Sequence, residues 1–229
     1  MKTVLAIAGT DPTGGAGIQT DLKTIEAYGL YGMAVITVVI AQNTTGVFDM
    51  QPVSAALVAK QIDCVFEDIR PDSVKLGMLY DTNIIRTVAE RLRAYHAENI
   101  VLDPVMLSSS GSALLRPDAA KTLLDELFPL CALVTPNLQE AAAICGHTIR
   151  SRADMEQAAQ AIAPLTQGSV MVKGGHLRDC ADDLLFADGQ LHWLSAPRID
   201  NPNTHGTGCT LSSAIACGLA QGIPLADSV

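Results

Sequence analysis

The sequence predicts an α/β fold: a mostly parallel central sheet with helices on both faces. Three observations predict it. Short apolar runs at Thr3 to Ala8, Met33 to Ile40, Val74 to Gly77, Ile100 to Leu102, Ala132 to Val134 and Val170 to Val172 alternate with segments of helical periodicity. The runs are apolar at consecutive rather than alternate positions, which is the pattern of strands buried on both faces. Glycines, amides and charged residues cluster where the runs end, and in open parallel sheets ligands collect along that edge.

The bulk numbers agree with one domain spanning residues 1–229. Hydrophobic residues make up 48% of the chain and charged residues 17%, so a sizeable core is available. Asp and Glu number 24 against 15 Lys and Arg, a net charge of −9. A diffuse acidic surface excludes nucleic acid and anionic membranes as main partners, because both require basic patches. The six cysteines form no C-x-x-C pair and have no histidines at zinc-ligand spacing. No run has the length of a signal segment or a membrane span, so the expected compartment is a reducing cytoplasm.

The first apolar run stops at Gly9 and leads through Gly9-Thr10-Asp11-Pro12-Thr13-Gly14-Gly15-Ala16-Gly17 into a helix carrying Ile18, Leu22 and Ile25, with Gly29 as its stop. This loop is not a dinucleotide fingerprint, since Thr20 stands where the third glycine belongs, and no Walker A motif occurs. Met33 to Ile40 reads as one strand, followed by Ala41-Gln42-Asn43. Ser54 caps a helix through Phe66, and Asp81 caps one carrying Ile84, Ile85, Val88 and Leu92. Pro117 suits a first helical position, with that helix running to about Leu127. Thr135-Pro136-Asn137 opens the next helix, and Lys173-Gly174-Gly175-His176 follows the strand at Val170. Asp188-Gly189 between Leu184 to Ala187 and Leu191 to Leu194 is a two-residue hairpin signal. Near the end, Asn203-Thr204-His205-Gly206-Thr207-Gly208-Cys209-Thr210 runs into a small, apolar helix.

That last stretch is the leading functional candidate. Gly206 and Gly208 allow close approach to the main chain, and the first turn of a helix presents unpaired amides and partial positive charge. Together these hold anions, phosphate above all, although an ordinary glycine turn has the same composition. Cys209, beneath the helix start, is expected to shift toward thiolate and to accept a proton from a substrate hydroxyl. Its alternative is a small apolar residue, as Cys217 is expected to be. Asp103, Asn137 and Glu140 carry oxygens suited to magnesium, while Asn137 and Glu140 also form a capping pair, and the two roles can coexist. Lys173 is placed to reach a nucleotide phosphate or to face solvent. His176 and His205 suit loop-shaping roles better than metal binding.

These motifs together resemble the ribokinase-like superfamily, and within it the hydroxymethylpyrimidine/phosphomethylpyrimidine kinases of thiamine biosynthesis. The resemblance is carried by Ala8-Gly9-Thr10-Asp11-Pro12-Thr13-Gly14-Gly15-Ala16-Gly17, Ala41-Gln42-Asn43-Thr44, Lys75-Leu76-Gly77-Met78-Leu79, Leu102-Asp103-Pro104-Val105-Met106, Asn137-Leu138-Gln139-Glu140, Lys173-Gly174-Gly175-His176 and Gly206-Thr207-Gly208-Cys209. It implies a three-layer ribokinase-like fold, ATP and Mg2+ as cofactors, a cytoplasmic homodimer, and successive phosphorylation of 4-amino-5-hydroxymethyl-2-methylpyrimidine and its monophosphate.

It also implies roles for residues. Gly9, Asp11, Gln42, Met78 and Val105 are expected to bind the pyrimidine, and Lys173, Thr207 and Asn137 the nucleotide. Glu140, Asn137 and Asp103 are expected to hold the metal. Cys209 is the expected base, with Gly206, Thr207 and Gly208 as the anion hole. Members of the family continue into a further helix, so the chain, ending where an amphipathic helix begins, is expected to lack the family's final one. Two other readings stay open at this point: a vitamin B6 (pyridoxal or pyridoxine) kinase, and a non-catalytic sensor of the pyrimidine.

Overall fold

The computed structural model describes residues 1–106, 114–175, 181–199, 201 and 203–229. In chain order the elements are β1 (Thr3–Ala8), α1 (Gly17–Ala27), β2 (Tyr31–Ile36), β3 (Val38–Asn43), β4 (Gly46–Pro52), α2 (Ala55–Asp68), β5 (Ser73–Leu76), α3 (Thr82–Ala94) and β6 (Ile100–Leu102). They continue with α4 (Ala120–Glu126), β7 (Leu133–Val134), α5 (Leu138–Cys145), α6 (Arg152–Ile162), β8 (Ser169–Val172), β9 (Asp183–Ala187), β10 (Gln190–Leu194), α7 (Thr207–Ala220) and α8 (Leu225–Ser228).

Eight strands form one sheet in the order β10-β9-β8-β7-β6-β5-β1-β2, while β3 and β4 pair separately. From β2 across to β8 every pairing is parallel, and β9 and β10 close the edge as an antiparallel hairpin. Along β1, Leu5 and Ile7 pack into the core cluster that includes α2 to α6 residues. Val4, Ala6 and Ala8 pack into the other cluster, with Ile215, Ala216 and Cys217 of α7. Alternation along one strand therefore builds both interfaces of the three layers.

Capping follows the sequence closely. Ser54 accepts from the Leu57 amide and Asp81 from the Ile84 amide. The Asp188-Gly189 turn has φ of 51° and 73°, the two positive values that a type I′ turn requires. The five described cysteines are free. Among the described residues, no helix is long and apolar enough to cross a membrane.

Two expectations are corrected. The run Met33 to Ile40 is two strands, not one. Gln61 brackets Ile36 by accepting from its amide and donating to its carbonyl, and buried Thr37 donates its hydroxyl to the Met78 carbonyl at 2.6 Å. These side-chain bonds end β2 and turn β3 out of the main sheet to pair with β4, a strand the apolar pattern does not mark. Pro117 is not at a first helical position: the chain makes a turn closed by Ala119 N–H to Arg116 C=O, and α4 starts at Ala120. Helix α6, with its Ser151 and Asp154 capping box, is an addition that the Ser-x-x-Asp spacing signals.

Candidate active site

The carboxyl ends of β1, β5, β6, β7 and β8, the N-terminus of α7 and one side of β3 enclose a cavity of about 520 Å³. Every site residue expected from the sequence lines it except Asp11. His176 lies outside the described residues.

The anion turn is built as follows. Gly206 is the N-cap of α7 at φ 82°, and a Cβ there would fall 1.7 Å from the Gly15 carbonyl oxygen, so only glycine fits. Thr207 turns its amide and hydroxyl back to the Thr204 carbonyl. The amides of Gly208 and Cys209 find no acceptor among the described residues and are free for an anion. Asp11 holds this turn from behind. It is fully buried, and its carboxylate accepts from Thr13 N–H and hydroxyl, from Ala16 N–H, and contacts His205 Nε2 at 2.7 Å. With both oxygens engaged, it joins the glycine loop to the start of α7 rather than facing the cavity.

Beside the turn lies a charged cluster. Lys173 Nζ donates to Asp103 Oδ1 at 2.6 Å, and the Thr135 hydroxyl donates to the same oxygen at 3.4 Å. Glu140, 5% exposed, is pushed up to about 7, first by burial and then by the nearby Asp103. Glu140 Oε2 accepts from the Asn137 amide and Oε1 from the Met106 amide. Asn137 Oδ1 accepts from the Gln139 and Glu140 amides, so the capping box is present. That leaves Asn137 with its NH2 group to offer the cavity. Burial costs Lys173 its charge, but Asp103 and Glu140 more than restore it and hold the amine above its ordinary value.

Gln42, which also lines the cavity, sits at a bulge in β3, its amide donating to the Thr10 carbonyl at 3.3 Å. Ile40, Met78, Leu114 and Val105 form an apolar wall next to it. A Cβ at Gly9 would meet Ile40 Cδ1 at 3.0 Å and Met78 Sδ at 3.4 Å, so glycine there leaves that wall unshifted.

The thiolate expectation for Cys209 is corrected. Cys209 is partly exposed and lines the cavity, but burial raises its thiol above its ordinary value. Lys75 draws it the other way, and the Gly17 amide donates to it. Helix position alone did not foretell this, because the sulfur lies in a desolvated floor and not at the open helix end. The floor contains residues that motif reading passed over. Lys75 and Asp21 form an ion pair at 2.7 Å with no exposure on either side. The signal was available: a lysine inside a four-residue apolar strand, and an aspartate on the same helical face as Ile18 and Ile25.

A helix start with unpaired amides, a cysteine beside it and an apolar wall meeting in one cleft of a three-layer α/β sheet are the arrangement of a small-molecule kinase of ribokinase-like fold. The family model for phosphomethylpyrimidine kinase matches residues 11–229, and the chain belongs to that family. It is 50% identical over 227 residues to the hydroxymethylpyrimidine/phosphomethylpyrimidine kinase of Rhizobium meliloti, covering 98% of this chain and 85% of that one. The crystal structure of phosphomethylpyrimidine kinase from Clostridium difficile 630 superposes with a TM-score of 0.89 at 42% identity, covering 100% and 95% of the two chains. The pyridoxal kinase of Staphylococcus aureus in complex with AMP-PCP and pyridoxal superposes at 0.90 but with 33% identity, covering 100% and 84%.

Proposed function

We propose that this cavity transfers the γ-phosphoryl group of ATP to the hydroxymethyl group of 4-amino-5-hydroxymethyl-2-methylpyrimidine, and then phosphorylates the monophosphate to the diphosphate. One observation carries the reading: Gln42 with its apolar wall and Cys209 with the free amides of α7 line one and the same cavity. A flat aminopyrimidine suits an amide that offers both donor and acceptor between apolar walls.

In the transfer, the substrate hydroxyl oxygen bonds to the γ-phosphorus, and the bond to the bridging oxygen breaks with its electron pair leaving on ADP. The hydroxyl proton passes to the Cys209 sulfur, which acts in its thiolate form. The Gly208 and Cys209 amides and Lys173 hold the charge that spreads over the phosphoryl oxygens. The Asn137 NH2 group donates to a nucleotide phosphate, as does the Thr207 hydroxyl at the rim on exchanging the Thr204 carbonyl for the phosphate. Gly9 lets the ring approach the main chain, and Asp11 acts by fixing the loop and not by touching the ring.

Asp103, paired with the Lys173 ammonium, and Glu140 are 3% and 5% exposed and fit a water-shelled Mg2+, which keeps most of its waters and needs few protein oxygens. When bound, that ion supplies charge neutralisation on the phosphates. A homodimer is the working assembly, supported by Val39 and Phe48, which stand 53% and 70% exposed on the small β3–β4 sheet.

The test is ADP release by the purified protein with the pyrimidine and with pyridoxal, side by side. Turnover with the pyrimidine and little with pyridoxal is expected, in line with 50% identity to pyrimidine kinases against 33% to the pyridoxal kinase. Turnover with pyridoxal alone, or pyrimidine binding without ADP release, overturns it.

A further inference from the structure

Under the floor of the cavity lies a charge pair that the steps above do not use. Lys75 stands in β5 between Val74 and Leu76, and its Nζ donates to Asp21 Oδ1 at 2.7 Å, with both side chains fully buried. Ser213, one helical turn after Cys209 on α7, donates to that same oxygen at 2.9 Å. The other oxygen, Asp21 Oδ2, is buried without a hydrogen-bond partner among the described residues.

Such an arrangement weakens a fold. Removing two charges from water costs several kcal/mol per ion, and apolar side chains of similar volume fill such places as well or better. A carboxylate oxygen without a donor adds to the cost and demands a reason. Packing offers none, since the residues in register with Lys75 on the flanking strands are Ala6 and Val101. Position does. Lys75 lines the same cavity as Cys209, and of the influences on that thiol its ammonium is the strongest one opposing burial. The charged groups around the sulfur are Lys75 from β5, Asp21 from α1, Asp103 at the end of β6 and Lys173 at the end of β8. Burial pushes the Asp21 carboxyl up while Lys75 pulls it back. Two donors on one oxygen, and a lysine that burial lowers but Asp21 and its neighbours hold well above its ordinary value, describe an ionised pair.

We infer that Lys75 is a positioning residue for the phosphoryl transfer: fixed by Asp21 and Ser213, its ammonium is the counterion that lets the Cys209 sulfur carry negative charge and take the hydroxyl proton. Lys75 keeps its own protons throughout, and the proton that moves goes from substrate oxygen to sulfur. The inference rests on Cys209 acting as the base.

Site-resolved alkylation of Cys209 by iodoacetamide, followed by mass spectrometry across pH, tests it without using activity. Lys75→Met is expected to move the midpoint for Cys209 upward by about one pH unit or more and to slow alkylation about tenfold at neutral pH. Asp21→Asn, which frees the ammonium from its partner, is expected to move the midpoint downward. Opposite shifts from two neighbouring substitutions are not a consequence of loosened packing, and either variant, if folded, is decisive by itself. In turnover, Lys75→Met is expected to lower kcat roughly a hundredfold with KM within about threefold. An unchanged alkylation profile in Lys75→Met, or a rise in KM at constant kcat, overturns the inference. Full turnover in Cys209→Ser would instead remove the base reading, while the alkylation profiles still report whether Lys75 and Cys209 are coupled.

Discussion

His205 Nε2 and Asp11 Oδ2 lie 2.7 Å apart across 194 residues of chain. This contact joins the loop after the first strand to the start of the last long helix, so substrate loop and anion turn are one assembly. Asp11→Ala would leave the Thr13 and Ala16 amides and His205 without their acceptor in a fully buried place. A loss of about 3 kcal/mol in urea denaturation is expected at pH 7. Burial alone would raise the Asp11 carboxyl, but His205, Thr13 and Ala16 together hold it below its ordinary value. Its contribution is therefore present above the unfolded value near 3.8 and fades as the pH falls through the lower folded value. A variant as stable as the parent at pH 7 would show that the clamp is not structural.

Glu140 behaves in the opposite sense. Its folded value of about 7 lies above the ordinary 4.5, so the protonated form is favoured by the fold. That stability is full below about 4.5 and is lost as pH rises through 7, amounting to about 3 kcal/mol. Denaturation in EDTA at pH 5 and pH 8 should show this loss in the parent and little of it in Glu140→Gln. An equal slope in both proteins assigns it to other groups.

The two glycines of the anion turn should fail differently. Gly206→Ala sets a methyl 1.7 Å from the Gly15 oxygen at φ 82°, and a stability loss of about 3 kcal/mol or more is expected by thermal melting. In Gly208→Ala the methyl meets Asp103 Oδ2 at 3.1 Å and Lys173 Nζ at 3.2 Å. The fold should persist, because alanine favours the helix by roughly 1 kcal/mol, while displacement of that pair lowers kcat tenfold or more. Normal turnover in Gly208→Ala would contradict the placement of Lys173 at the phosphoryl group.

Cys209→Ser should slow turnover strongly and leave the nucleotide Kd within about threefold, because positioning and charge neutralisation dominate phosphoryl transfer. Isothermal titration with a non-hydrolysable ATP analogue, beside steady-state kinetics, separates the two effects. A large loss of nucleotide affinity would place the sulfur on the nucleotide and not on the hydroxyl.

Most strands and caps could be read directly from the chain, because each depends on a local pattern: consecutive apolar residues for Thr3–Ala8 and Ser169–Val172, a side-chain oxygen before a helix for Ser54 and Asp81, a glycine pair in the turn at Asp188-Gly189. The same holds for the ends of strands where Asp103, Asn137 and Lys173 stand. Family motifs carried the rest of the cavity lining as far as Gln42 and Cys209. What local pattern could not supply was anything settled by contacts between distant segments. Gln61 and Thr37 divide Met33 to Ile40 into strands of two different sheets, and nothing inside that run announces the break. Asp11 is turned from the ligand to the loop by a histidine near the other end of the chain. Cys209 is surrounded by Lys75, Asp21 and Asp103 from three separate elements. Local chemistry names which residues can act. Burial and the charges that folding brings around them set how they act, since desolvation and Coulomb interaction depend on distance in space and not along the chain.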